Sequence, residues 1–203
     1  MSAGFYIKIN DTDLKNVEKM LGNVQGAVPR VISRAINDTL AGVKTDASAE
    51  IRQVITLKKA AVDKTFRTVK ANVTTLSGLF ESKGSPVPLI DYGARQTTKG
   101  VSVQVKRGNP RSLIEGAFIA TMKSGHKGVF WRQWHTAARK PVNRNVPYGK
   151  LPKRYRLPIA QRFGPRVPDI LENQPVMTAV LTKAGDRMHK NIDRELNYEL
   201  SKL

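Results

Sequence analysis

Apolar positions recur along this chain at two periods, and the change from one to the other divides it. Val28, Val31, Ile32, Ala35, Ile36, Leu40, Val43, Ala47, Ile51 and Val54 fall on one stripe spaced by three and four residues, entered through Pro29. That spacing predicts a helix over 28–55, about 40 Å long at 1.5 Å per residue. Gly42 is its weakest point. Val176, Val180, Ala184, Met188, Ile192, Leu196 and Leu200 repeat at a spacing of four and predict a second long helix over 174–203. A shorter stripe, Leu14, Val17, Met20 and Leu21, predicts a helix that Asp11–Asp13 can cap and Gly22 can end. Thr56 reads as the cap of a further short helix from Leu57 to about Thr65.

Elsewhere the period is two. Phe5–Asn10 is a strand candidate, and from Phe66 onward 67–72, 74–80, 101–106, 116–122 and 129–134 read as strands. Turn clusters at 83–86, 97–100, 108–110 and 123–128 separate them. The pattern predicts an α+β fold, with the long N-terminal helix and the C-terminal helix packed on one antiparallel sheet of about five strands. It is read as a single domain over 1–203: mainly helical over 1–65, mainly β over 66–135, an extended basic loop region over 136–173, and the C-terminal helix over 174–203. Residues 136–158 carry Pro141, Pro147, Pro152 and Pro158 and read as a long loop, the kind of excursion that serves binding. The two helical stripes are apolar enough to be buried against each other or another subunit. Val31, Ile32, Ala35, Ile36, Leu40, Val180, Ala184, Met188, Ile192 and Leu196 are the expected subunit-packing positions. No internal repeat is visible.

Composition narrows the classes. Of 203 residues, 40% are hydrophobic and 25% charged, enough for a packed core. There is no cysteine, which excludes disulfides, thiolate metal sites and cysteine nucleophiles. No run of about 18 apolar residues is present, so no membrane span is expected. The first residues, MSAGFYIKINDTD, lack the basic and apolar regions of a secretory signal.

Charge changes the picture more. The chain holds 35 Lys and Arg against 16 Asp and Glu, a net of +19. Residues 1–91 carry 13 basic and 9 acidic side chains, 92–168 carry 17 and one, and 169–203 carry 5 and 6. The middle segment therefore holds +16 of the excess. Like charges repel in a compact domain unless phosphates, acidic partners or the chain's own acidic helices offset them. Arg132, Arg139, Lys140, Arg144, Lys150, Lys153, Arg154, Arg156, Arg162 and Arg166 are the candidate docking cations, for a protein partner or DNA. Trp131, Trp134, Tyr148, Tyr155 and Phe163 interleave with these arginines and can stack on bases or partner side chains. Equally, Phe130 and Trp134 can simply alternate inward along a strand.

Catalytic patterns are missing from the sequence. His126, His135 and His189 form no metal-binding pair, and the basic middle holds only Glu115 for acid–base work. There is no Walker lysine motif, no GxGxxG and no GxSxG. No enzymatic role, cofactor or metal is expected.

Two segments carry a resemblance: RSLIEGAFIATMKSGHKGVFWR over Arg111–Arg132, and LPIAQRFGPRVPDIL over Leu157–Leu171. With VPRVISRAINDT (28–39), ITLKK (55–59) and PVPLIDYGAR (86–95), the chain resembles the minor tail protein Z family of tailed phages and prophages, lambda-like tail-completion proteins. The likeness spans roughly 25–203, and Trp131–Trp134 departs from it. The resemblance implies a structural role at the head-proximal end of the tail, where a neck ring, six-fold in related proteins, joins the tail to the head connector. Its implied partners are further copies of itself, head–tail connector proteins, a tail terminator or tube protein, and genomic DNA in the lumen, with no membrane. Its implied location is the virion, and the host cytoplasm during assembly. Two other readings stand beside it: a sequence-independent nucleic-acid binder, and a terminator capping the tail tube.

Overall fold

A computed structural model describes residues 2–22, 24, 26–132 and 159–202. The described chain is α+β, with nine strands in three antiparallel sheets of three. It forms two compact units: residues 1–53, 59–85 and 166–203 make unit 1, and 54–58 with 86–165 make unit 2.

Unit 1 is built on its two long helices. Strand β1 (Ser2–Lys8) leads into α1 (Asp11–Leu21), and α2 (Ala27–Val54) follows. The α1 cap is Asn10, whose Oδ1 accepts from the Asp13 N–H at 2.7 Å. Asp11 and Asp13 instead sit in the first turn, where their charge favours the helix dipole. Gly22 ends the helix at φ 53°, donating its N–H to the Glu18 carbonyl. Helix α2 runs unbroken through Gly42, and Val31, Ile32, Ala35, Ile36, Val43, Ala47 and Ile51 along it are fully buried.

A short helix α3 (Lys59–Asp63) precedes β2 (Phe66–Val69) and β3 (Ser77–Lys83), and the sheet order is β1-β3-β2. Phe80 stands between Phe5 and Phe66, with ring centroids 5.6 and 5.1 Å away. Beside it, Gly78 lets the sheet close onto α2, since a Cβ there would lie 2.6 Å from Leu40 Cδ1. Helices α4 (Val167–Leu171) and α5 (Gln174–Leu200) complete the unit. The stretch read as extended up to residue 173 thus holds α4, and also a strand of unit 2.

Unit 2 holds two sheets. One is β4 (Arg95–Gln96), β5 (Gly100–Val103) and β6 (Ser112–Glu115); the other is β7 (Phe118–Thr121), β8 (Lys127–Arg132) and β9 (Ile159–Gln161). The single five-stranded sheet is therefore corrected to three small ones. Gly116, at φ 70°, splits the apolar run 112–122 into two strands that join different sheets. Thr56 is no helix cap either. Its hydroxyl bonds the Gln104 carbonyl, its N–H bonds Val105 O at 3.1 Å, and Ile55 pairs with Lys106. The β-branched pair found a distant extended partner, which local spacing does not reveal.

Two of the motif segments meet in unit 2. Leu89 donates to Arg162 O at 3.1 Å, Gly164 donates to Val87 O at 2.8 Å, and the buried Tyr92 hydroxyl donates to Pro165 O at 3.0 Å. Gly164 must be glycine here, because a Cβ would stand 2.6 Å from the Tyr92 ring. These motif residues build the scaffold.

Candidate functional site

The predicted subunit-packing residues come together, but inside one chain. Val31, Ile32, Ala35, Ile36 and Leu40 on α2, and Val180, Ala184, Met188, Ile192 and Leu196 on α5, are all buried in unit 1. Side chains already covered this way leave no surface for a neighbour.

A ladder of opposite charges flanks the α2–α5 seam. Arg34 reaches Glu199 at 2.8 Å, Arg187 reaches Asp46 at 2.8 Å, Arg194 meets Asp38, and Lys183 meets Glu50. The pairs ascend α2 as they descend α5, so the helices are antiparallel. Glu199 also takes Lys202 at 3.2 Å, and that hydrogen bond, with the charges of Lys202, Arg30 and Arg34, holds its carboxyl below the usual range. At the seam's centre the buried Asn191 amide donates to Thr39 Oγ1 at 3.0 Å, and Thr39 donates to Ala35 O.

The predicted docking cations divide three ways. Arg132 lies over the Phe118 ring at 4.4 Å, and Arg162 over Trp131 at 4.3 Å. Arg166 pairs with Asp169 at 2.7 Å, which raises its pKa and lowers that of Asp169, so its charge is offset. Arg139, Lys140, Arg144, Lys150, Lys153, Arg154 and Arg156 lie outside the described residues, as do Trp134, Tyr148, Tyr155 and His135. Phe130 does turn inward and is buried. His126 is exposed in its turn, 3.0 Å from Gln161 Oε1, and His189 lies 3.2 Å from Asp13 across α1 and α5.

Sorting charge by unit sharpens the picture. Unit 1 carries 18 basic and 14 acidic side chains, a net of +4; unit 2 carries 17 and 2, a net of +15. Every Lys or Arg ion pair between described residues falls in unit 1: Arg30, Arg34, Lys59, Arg67, Lys83, Arg166, Lys183, Arg187, Arg194 and Lys202 with their acids. Asp91 and Glu115, the acids of unit 2, form none. Arg95, Lys99, Lys106, Arg107, Arg111, Lys123 and Lys127 are all exposed there.

An apolar row was not foreseen. Tyr6, Leu79 and Val69 stand in register across β1, β3 and β2, with Tyr6 72% and Val69 45% exposed. The alternation of Phe5–Asn10 already put Tyr6 opposite to the buried face. Val69 needed the strand register. Among the described residues no His, Asp and Glu gather as a metal site, and no helix is long and apolar enough to cross a membrane.

These residues define a basic α+β protein in which one unit offsets most of its charge and the other exposes most of its described cations. The sequence profile of the prophage minor tail protein Z family matches residues 9–203. This chain belongs to that family, and its role is accordingly a structural one in a phage tail, within the virion. No curated protein and no solved structure matches it.

Proposed function

We propose that this protein completes the tail, forming a ring at the head-proximal end that joins the tail to the head connector. Family membership carries the reading, since it supports a tail structural role, and the distribution of charge supports a docking role within it. A closed ring uses two different faces of each subunit, and its neighbours along the axis need a third. Unit 2, with its net of +15, suits the axial contact with an acidic connector, terminator or tube protein. Charge complementarity there sets register and speeds encounter more than it sets affinity. The ring is six-fold in this reading, as in related neck proteins, and genomic DNA passes through its lumen. The role is non-catalytic and needs no cofactor.

Joining purified tails to filled heads across a salt series tests the electrostatic part. Joining should slow steeply as salt rises above physiological strength, where exposed charges are screened beyond about 8 Å. A rate indifferent to salt would refute it. Excising residues 139–156 removes seven of the cations of unit 2 while leaving both strands of the Arg132–Ile159 pairing in the chain. Tails carrying this deletion should assemble yet fail to join heads, and a normal particle yield would show that these residues are dispensable.

A further inference from the structure

Apart from the basic run over 136–158, which lies outside the described residues, the fold places a second set of cations at one end of the β4-β5-β6 sheet. Lys106 and Arg107 sit in the turn between β5 and β6, and Arg111 leaves that turn. Arg95, on β4, lies directly opposite Ser102. Arg111 reaches the same Ser102, its Nε donating to Oγ at 3.1 Å and its Nη2 donating to the carbonyl oxygen at 2.8 Å and to Gly93 O at 2.7 Å. That clamp brings the Arg111 guanidinium to the residue beside Arg95. The turn is held firmly as well. Gln104 Nε2 donates to the carbonyls of Arg107 and Asn109 at 3.1 and 2.8 Å, and Arg107 N–H donates to Val54 O at 2.9 Å. All four cations are exposed, and none forms an ion pair with a described residue.

We infer that this end of unit 2 binds the phosphodiester backbone of duplex DNA without regard to sequence. Exposed Arg and Lys beside Ser102, Gln104 and Asn109, on a turn whose backbone is held, are the chemistry that meets phosphate and sugar oxygens. A protein partner would call for an aromatic anchor at the centre of the patch, a role for which leucine is under-represented. The exposed apolar side chain here is Leu113, 42% exposed and opposite Ser102, and no aromatic accompanies it among the described residues of the turn. The Arg111 guanidinium, already held by three hydrogen bonds, also loses little freedom on binding. The inference does not rest on the neck reading, because it concerns the surface chemistry of unit 2 alone.

The test is fluorescence anisotropy of the full chain with a labelled duplex of about 30 base pairs over a salt series. Each phosphate contact contributes about 0.9 to the slope of log K against log salt. Lys106→Ala/Arg107→Ala should make that slope shallower by about 2 and weaken binding roughly tenfold near physiological salt. The control, Lys15→Ala/Lys19→Ala on α1, removes the same charge from unit 1 and should change neither quantity. Circular dichroism of both variants confirms that they fold. Equal losses in test and control would overturn the inference in favour of a net-charge effect. Unchanged DNA binding in the test variant would also overturn it, and if particle assembly were lost at the same time the patch would belong to an acidic protein instead.

Discussion

Gly42 stands midway along α2 with Arg187 laid across it, so that a Cβ there would lie 2.2 Å from both Cδ and Nε of that arginine. Helix propensity alone favours Ala over Gly by about 1 kcal/mol in a helix interior. Here the added methyl displaces Arg187 from Asp46, and a partly exposed ion pair contributes roughly 0.2–1 kcal/mol. Gly42→Ala should therefore give much less than the full propensity gain in the native chain, and the full gain in an Arg187→Ala background. Urea unfolding of the four proteins reads this directly, and equal gains in both backgrounds would show that the two residues do not interact. Tyr92 makes a second test at this scale. Burial, with a smaller contribution from the Asp91 charge, pushes its hydroxyl up to about 12. Losing the bond to Pro165 O in Tyr92→Phe should cost about 1 kcal/mol at neutral pH. Because the folded value lies above the ordinary 10.0, that contribution is intact below pH 10 and is lost as pH rises through about 12. The stability difference between native chain and variant should shrink across that window in thermal melts, and a constant difference would contradict the buried-hydroxyl assignment.

Helices α2 and α5 are locked in register by polar groups inside an apolar seam. Thr39→Val keeps the shape but leaves the buried Asn191 amide without its acceptor, which should cost about 1–3 kcal/mol. Restored stability in Thr39→Val/Asn191→Leu would confirm the cause. At the seam's end, the Glu199 carboxyl is held below its ordinary range by Lys202, Arg30 and Arg34. Its contribution is complete above the unfolded carboxylate value and fades as pH falls through the lower folded one. Melting temperature should drop on acidification, and less so for Glu199→Gln; identical acid profiles would assign that stability elsewhere. Both helices were legible in the sequence to within a residue or so at most ends, because a stripe spaced by three and four residues is a local signal. The strands were legible as runs, but their sheets were not. Pairing of Ile55 with Lys106, or of Trp131 with Ala160, joins residues far apart in the chain. No single run contains that information, and β9 and the two-residue β4 are too short to show a period at all.

At the scale of the whole molecule, excess charge was visible from composition, and its confinement from simple counting along the chain. What the sequence did not show is which charges the fold cancels. Arg166 belongs to the same basic run as Arg162, yet Asp169 one helical turn away neutralises it, while Arg162 rests on Trp131. Conversely, Arg95, Lys106, Arg107 and Arg111 are scattered over 17 positions; the β4-β5-β6 pairing and the Arg111 clamp bring Arg95 and Arg111 to Ser102, and Lys106 and Arg107 lie in the turn that leaves the same end of the sheet. The helical stripes looked like subunit contacts because an apolar stripe says only that it will be covered, not by what. Folding covers these within unit 1, and leaves the exposed cations among the described residues of unit 2 as the feature that points outward. The central claim, a ring at the junction of head and tail, is tested most directly by electron microscopy of intact particles in which this chain carries a gold label. Label confined to the head-proximal end of the tail, coincident with a ring of density between connector and tube, is the expected result. Label along the tube or at the distal tip would contradict it, as would particles that lack the chain.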